Sequence, residues 1–401
     1  MAAARGDAPQ VVSTRIAHGL SPHYEALRAI PSRRELLKSA LYAQIQGELD
    51  RVLHAVEVVP HPQPQPPHDP SGRRLRIVAW NIQRGRHFDA LLAALQHDAI
   101  LRDADIILMC EVDVGMGRSG NRHVARDLAA ALRMHYAFAV SYLVLGDDFG
   151  ENPDQTPNTL ALAGAAVLSR VPIVQAENVD LPELRDKFSS RREKRLGKKR
   201  ALRVDVQLPG RTLTLAGCHL DSNASPHQRA LQLDALLSHC DQHVGSDGPL
   251  LMGGDLNTTT YDASGPWGLG RDLLHKLLMR GVDGTIEGYM VPERTYERPL
   301  FACLSQHGLA IDGFNDRAHG SYVYDVMSDY SVEKLHSKVG RLATRWLQWR
   351  LRKWSGVVPA RLDWFAGRGL SPLSAGVVEC RDAAGRPVSD HFPIVVDIAG
   401  A

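Results

Sequence analysis

From Arg73 onward the chain alternates short β-rich runs with helical ones, and this alternation restricts the fold more than any other feature. "RLRIVAW", "ADIILMC", "AGAAVLS", "ALRVDVQL", "RTLTLAGC", "PLLMGG" and "FPIVVDI" are short, apolar and rich in strand formers. "FDALLAALQH", "NRHVARDLAAALRM" and "SPHQRALQLDALLSHC" instead repeat apolar residues at helical spacing. Strands interleaved with helices, without an internal repeat, predict an α/β or α+β core with helices packed outside the sheets. Polar residues just past the strand ends usually build the site in such architectures.

The segment before Arg73 has a different organisation. "PSRRELLKSALYAQIQGELDRVLHAV" opens on a capping box, Ser32 with Glu35, and places Leu37, Leu41, Ile45, Leu49, Val52 and Val56 on one helical stripe. "PHPQPQPPHDPSG", from Pro60 to Gly72, has too many prolines for a helix or central strand to persist. The expected division is an N-terminal helical extension over 1–59, a Pro-rich linker over 60–72 and a main domain over 73–401.

Composition excludes several classes. With 401 residues, 44% hydrophobic and 23% charged, the chain has ample core-forming material. A net charge of +2 gives no global field that would draw it to nucleic acid or an anionic membrane. The five cysteines, Cys110, Cys218, Cys240, Cys303 and Cys380, are widely spaced and form no Cys-x-x-Cys pair, so they read as buried thiols of a reducing compartment. "MAAARGDAPQVVSTR" has no apolar segment of signal-peptide length, and no stretch reaches the roughly 18 apolar residues of a membrane span. The expected location is the cytoplasm.

The strand ends are polar almost without exception. "RLRIVAW" runs into Asn81, "ADIILMC" into Glu111, "RTLTLAGC" into His219 and "PLLMGG" into Asp255 and Asn257; "RLDW" carries Asp363, and Asp390 and His391 precede "FPIVVDI". Each alone is an ordinary turn or strand-end residue. His219 shares parity with Leu213 and Leu215, so it faces the side they face, where a solitary His is more often a satisfied core residue. Together these residues suit hydrolysis at phosphorus, in which a hard cation neutralises the phosphate, a water attacks in line and an acid protonates the leaving oxygen. Glu111 and Asp390 are oxygen donors of the kind Mg²⁺ takes. Asp255 can accept a proton from water, the amides of Asn81 and Asn257 can donate to phosphate oxygens, and His219 and His391 remain for proton delivery and charge stabilisation.

"AWNIQ", "CEVD", "CHLDSN", "GGDLN", "RLDW" and "SDHFP" occur in the order of the motifs of the endonuclease/exonuclease/phosphatase (DNase I-like) superfamily, which the chain from about Arg73 to its C-terminus resembles. That superfamily includes deoxyribonucleases, abasic-site endonucleases, sphingomyelinases, inositol-polyphosphate 5-phosphatases and deadenylases. The resemblance implies a four-layer αββα sandwich of two mixed β-sheets flanked by helices. It also implies a Mg²⁺ or Mn²⁺ cofactor with Glu111 as principal ligand and Asn81 and Asp390 near the metal. By motif position Asp255 would orient or deprotonate the water, Asn257 would hold a phosphate oxygen, and His391, oriented by Asp363, would contact the scissile phosphate. His219 would protonate the leaving group. Some nuclease members carry an Asp two residues past the motif Asn; the residue here is Gln83, which argues against a second metal.

Two further segments bear on the substrate. "SSRREKRLGKKR", residues 189–200, has seven basic residues against one acid and reads as a linker able to reach a polyanion, or as a solvated loop. An insert over about 262–360 is expected to fold over the site rim. Within it, 332–354 places Val332, Leu335, Val339, Leu342, Trp346 and Trp349 on one stripe, which suits either packing on the core or contact with a lipid surface or partner. The expected function is a metal-dependent phosphoesterase acting on nucleic acid or on a phospholipid or phosphoinositide. The alternative is a binding protein that keeps the fold without turnover. "ARLDWFAG" lacks the longer Trp-x-Asp-Arg signature of inositol 5-phosphatases, which points away from that branch.

Overall fold

Between Arg74 and Arg84 the side chains of Leu75, Ile77 and Ala79 enter one apolar cluster and those of Val78, Trp80 and Ile82 another. This period of two is the signature of a strand buried on both faces. The structure is a computed structural model that describes residues 11–13, 15–69, 71–146, 151–189, 193–258, 276, 278, 280–281, 283–325, 341, 345, 348–349 and 357–400. Its strands begin with β1 (Val11–Ser13), β2 (Ala55–Val59), β3 (Arg74–Arg84), β4 (Ile106–Val114), β5 (His135–Val144) and β6 (Leu162–Ser169). Then come β7 (Ile173–Asp180), β8 (Arg195–Gly197), β9 (Arg200–Leu208), β10 (Arg211–His219) and β11 (Leu250–Asp255). The last are β12 (Tyr322–Asp325), β13 (Val357–Ala360), β14 (Asp363–Arg368), β15 (Pro372–Val377) and β16 (Ile394–Ala399).

The larger sheet has the order β1-β2-β5-β6-β4-β3-β16-β15, with β8 added to β5, and the smaller has the order β14-β11-β10-β9-β7. Leu75, Ile77, Ile106 and Leu108 from the first meet Val204, Leu213, Leu215 and Phe365 from the second in the cluster between the sheets. Helices Ala40–Leu53, Phe88–His97 and Val124–Leu132 cover the outer face of the larger sheet, and helices Pro226–Val244 and Arg298–Gln306 that of the smaller. The four layers are therefore helix, sheet, sheet, helix, as expected.

The N-terminal segment differs from expectation. The single helix is two, because Ser32 caps only the short turn Arg33–Leu36 and Ser39 caps the longer helix Ala40–Leu53. Helical spacing suggested continuation through Val56, but the chain leaves the helix at His54 and enters the larger sheet as β2, pairing antiparallel with β5 at Val56 and Ala139. The boundary drawn at residue 59 therefore falls at the end of a sheet strand. The Pro-rich stretch is also tied down through the amides that prolines leave available: His61 N–H donates to His135 Nδ1 (3.0 Å), Gln65 N–H to Arg133 O (2.8 Å) and His68 N–H to Asp105 Oδ1 (2.7 Å).

A fragment lacking residues 1–70 is accordingly expected to fail as a folded domain. Leu20, Leu27, Leu36, Ile45, Leu49 and Val52 are all buried with Tyr136 and Phe138 of β5. Burying such side chains contributes about 1.5–3 kcal/mol each, so their joint loss is comparable to the whole stability of a domain, about 5–15 kcal/mol. Circular dichroism during heating checks this; a cooperative melt of the fragment would refute it.

The basic run is not a free loop where it is described. Lys194 Nζ donates to the backbone carbonyls of Arg28 (2.9 Å) and Ile30, Arg195 pairs with Glu193, and Lys198 (2.6 Å) and Arg200 (2.6 Å) both bind Asp180. These four side chains are anchored to the fold, where a free linker was one expectation. Most of the helix expected over 332–354 lies outside the described residues, as does much of the insert around it.

Candidate active site

The sheets bring most of the expected residues to one end. In β3 Asn81 shares parity with Leu75, Ile77 and Ala79, and in β10 His219 shares parity with Leu213 and Leu215, so both face the space between the sheets. Asp255 follows Leu251 in the same sense, and Asp363 precedes Phe365. Register aligns them: His219 lies opposite Asp255 in the parallel pair β10/β11, and Asp255 opposite Asp363 in the antiparallel pair β11/β14. β16 pairs β3 with Ile394 opposite Ala79, so the residues before Ile394 carry His391 toward Asn81.

Glu111 reaches this space by a different device. In β4 the even-numbered Ile106 and Leu108 face the other sheet, whereas Val112 and Val114 face the helices. A bulge between Cys110 and Val112 reverses the parity, and Glu111, the extra residue, adopts a left-handed φ of 53°. Such a conformation is costly for a residue with a side chain and concentrates at functional positions. Asn257 has the same φ of 53° just past β11. The two glycines before Asp255 are required by space: a Cβ on Gly253 would meet the Phe365 ring at 2.5 Å, and one on Gly254, whose φ is 142°, would meet Cys218 O at 2.1 Å.

The side chains interlock across the two sheets. Asn81 Nδ2 donates to Asp255 Oδ2 (3.2 Å), and Asn257 N–H donates to Asp255 Oδ1 (2.9 Å). His391 Nδ1 donates to Asp363 Oδ2 (2.7 Å), and its Nε2 lies 3.8 Å from Asp255 Oδ2, the oxygen that His219 Nε2 approaches at 3.5 Å. Ligand atoms of Asp255, Asp363 and His391 all lie within 4.8 Å of one another. Asn257 Nδ2 donates to Leu220 O (3.0 Å), so in this state its amide is turned to the backbone.

The two imidazoles are driven apart in charge. Burial works against a proton on His391, but the carboxylates of Asp363 and Asp255 outweigh it and hold the ring well above the usual imidazole value. His219 moves the other way, pushed down to about 4 by burial and by Lys199 against the opposing pull of Asp255 and Glu111. Burial would raise Glu111, yet Arg84, His219, Lys199 and His391 hold its carboxyl well below the usual range.

Asp390 lies at the edge of this cluster. It is exposed; the Ser389 hydroxyl lies 2.7 Å from Asn81 O and 3.4 Å from Asp390 Oδ1, and the Asp390 charge adds to those that favour a proton on His391. Neither Glu111 nor Asp390 belongs to the tight group formed by Asp255, Asp363 and His391. The structure thus brings Asn81, His219, Asp255, Asp363 and His391 together, with Glu111 coupled to them by charge and Asp390 at the margin.

Five participants escaped the sequence reading. Ser321, from the insert, donates its Oγ proton to Asp363 Oδ2 (2.7 Å), and Tyr322 sets its ring edge-on to His391 with centroids 4.8 Å apart. Nothing local marks "GSYVYD" as a site segment, because its partners lie some forty to seventy residues downstream. Lys199 comes from the run read as a linker; burial pushes its ammonium down to about 8 against the pull of Asp221 and Glu111. Arg84, beside the departure at Gln83, places its Nε 3.9 Å from Glu111 Oε2 and also pairs with the buried Glu151. Arg118 braces this region from within through Asp113 (2.7 and 2.9 Å) and Glu193 (2.7 Å).

The profile of the Endonuclease/Exonuclease/phosphatase family matches residues 78–391. The chain belongs to the endonuclease/exonuclease/phosphatase family. That match runs from the middle of β3 to His391 and so includes every residue of the cluster. No curated protein matches the chain. Among solved structures, an endonuclease/exonuclease/phosphatase from Beutenbergia cavernae is similar at 18% identity and a TM-score of 0.47, covering 82% of this chain and 72% of its own. The beta toxin of Staphylococcus aureus is similar at 14% identity and a TM-score of 0.45, over 80% of this chain and 99% of the toxin. D. rerio TDP2 complexed with a single-strand DNA product is similar at 15% identity and a TM-score of 0.42, over 81% and 98%. Within the family frame, the five cysteines of this chain are all buried and free, and no helix among the described residues is long and apolar enough to cross a membrane.

Proposed function

We propose that this member of the family is a metal-dependent phosphoesterase that cleaves a phosphodiester by in-line attack of water. The observation that carries the reading is His391 set between Asp363 (2.7 Å) and Asp255 (3.8 Å), with His219 3.5 Å from the same Asp255 oxygen and the proton affinities of the two rings shifted in opposite directions. Two titratable rings forced in opposite directions within one cluster are the arrangement acid–base chemistry requires.

The donor set fits a hard divalent cation. Glu111 keeps an ionised and partly exposed carboxylate one residue past Cys110, the register partner of Asn81. The cluster offers oxygen and imidazole donors rather than thiolates, as Mg²⁺ or Mn²⁺ prefers. Glu111 and Asn81 would hold the ion, with Asp390 at its solvent side. When bound, Mg²⁺ or Mn²⁺ supplies neutralisation of the phosphate charge and lowers the cost of the developing negative charge.

The remaining steps belong to the chain's own residues. Asp255, its Oδ1 fixed by the Asn257 amide and its Oδ2 by Asn81, orients the attacking water and accepts its proton. His391 stabilises the phosphoryl oxygens with a charge that Asp363 maintains. His219 delivers the proton to the leaving oxygen. Its ring is neutral in the free protein at pH 7, and the negative charge of a bound phosphate raises its affinity for a proton. The limb at which activity falls with rising pH is therefore expected at higher pH in kcat than in kcat/KM.

Turnover of purified protein with Mg²⁺ or Mn²⁺ should be measured on plasmid DNA, abasic duplex, RNA, sphingomyelin, phosphoinositides and a chromogenic phosphodiester. Activity on one class, abolished by chelator and restored by the metal, is expected; activity undiminished in EDTA overturns the metal reading, and no turnover on any member favours the binding-protein alternative. His219→Ala should slow a substrate with an alkoxide leaving group by about 10²–10⁴-fold and barely affect a nitrophenyl ester, whose phenolate leaves unaided. Equal losses on both would remove His219 from the role of acid.

A further inference from the structure

Away from the candidate active site, on the outer face of the smaller sheet, Cys303 and His307 lie four residues apart at the end of helix Arg298–Gln306, opposite Asp234 of helix Pro226–Val244. One ligand atom from each of Asp234, Cys303 and His307 lies within 4.8 Å of the others. His307 Nε2 is 3.0 Å from Asp234 Oδ1. Its other nitrogen, Nδ1, donates to Asp241 Oδ2 at 2.6 Å, and Asp241 Oδ1 in turn accepts from Arg368 Nη1 at 2.6 Å. The Asp234 side chain is 56% exposed, which leaves the group open to solvent on one side.

We infer that Asp234, Cys303 and His307 form a binding site for a borderline divalent cation such as Zn²⁺, with water in the fourth position. A thiolate, an imidazole nitrogen and a carboxylate oxygen are ligand types that Zn²⁺ takes tetrahedrally and that Mg²⁺ and Ca²⁺ do not select. The orientation of His307 supports this independently of the ligand count. Metal-binding histidines commonly donate the far N–H to a carboxylate that fixes tautomer and ring angle. Asp241 does so here, and Arg368, which also donates to His307 O (2.9 Å), Gly248 O (3.0 Å) and Gly245 O (2.7 Å), holds Asp241 in place. Helical geometry supplies the rest, since residues four apart on one helix share a face.

Binding replaces the Nε2 proton of His307 and the Sγ proton of Cys303 with bonds to the cation, and both protons leave to solvent. Affinity should therefore increase with pH. Occupancy would fasten helix Arg298–Gln306, within the insert, to helix Pro226–Val244, which follows β10.

The test uses the full chain, stripped with chelator and titrated with Co²⁺ in excess Mg²⁺, which occupies oxygen-donor sites. One equivalent of Co²⁺ is expected to give a thiolate-to-cobalt charge-transfer band in the near ultraviolet, which Zn²⁺ abolishes by displacement and which Cys303→Ser lacks. Asp241→Asn should weaken Co²⁺ binding about 10–100-fold, the usual loss when an orienting carboxylate is removed. Absence of the band in the unaltered protein, or its persistence in Cys303→Ser, overturns the inference. If Cys303→Ser does not fold, Asp234→Ala decides, because its side chain is mostly exposed; unchanged Co²⁺ affinity in that variant overturns the site equally.

Discussion

Glu111→Gln is expected to lower turnover by at least about a hundredfold while leaving the thermal melt in place. Glu111 is the carboxylate that the surrounding cations, Arg84 first among them, keep ionised, and the amide removes its charge without changing its size. Charge stabilisation by a bound divalent cation is worth several kcal/mol, and each 1.36 kcal/mol is about tenfold in rate. The bulge that presents residue 111 depends on backbone pairing, so the substitution should not disturb the sheet. Saturating metal should recover part of the loss if affinity is what suffers. A variant as active as the parent at low metal concentration would show that Glu111 is not the anchor of the site.

His391→Ala is expected to cost about 10²–10³-fold on substrates with good and poor leaving groups alike, because a residue that stabilises phosphoryl oxygens acts whatever departs. Asp363→Asn should be milder and should carry a pH signature. The raised proton affinity of His391 depends on Asp363 and Asp255, so losing one carboxylate lowers it, and the charged ring disappears at lower pH than in the parent. Activity of Asp363→Asn should therefore be nearer that of the parent under mildly acidic conditions and fall earlier as pH rises. The same sign governs stability: the His391 contribution is complete below the imidazole's unfolded value, about 6.5, and is lost as pH rises through its higher folded value. A pH profile for Asp363→Asn parallel to the parent's would separate Asp363 from the charge of His391.

Asn81, His219 and Asp255 were legible in the sequence because each borders a run whose apolar face is easily recognised, whereas Asp363 was marked only by the "RLDW" segment. The parity that buries Ile77 and Ala79 between the sheets, for instance, also aims Asn81 there. Glu111 was legible as a residue but not as a direction, since a parity count from Ile107 and Met109 sends it toward the helices and only the bulge turns it back. Ser321 and Tyr322 were invisible, because contact with Asp363 and His391 depends on how the insert returns to the site. The N-terminal strand was missed because Val56 fits both a helical stripe and a strand, and the pairing with Ala139 that decides between them is a long-range contact. The partners of the basic run were not legible because charge alone cannot say that Asp180, Glu193 and two backbone carbonyls are waiting for it.

Asn81, Glu111 and His391 are carried by the larger sheet, and His219, Asp255 and Asp363 by the smaller. The bonds from Asn81 to Asp255 and from His391 to Asp363, with that from Asn178 of β7 to Val140 O of β5 (2.8 Å), are therefore bolts between two independently hydrogen-bonded plates whose spacing is set by the apolar filling between them. Apolar packing sets spacing without direction, so a slide of one plate over the other can leave both sheets intact while pulling donor from acceptor. How the halves of the candidate site meet is thus a gauge of how the plates are seated, and substitutions deep in their filling can part those halves without unfolding the chain.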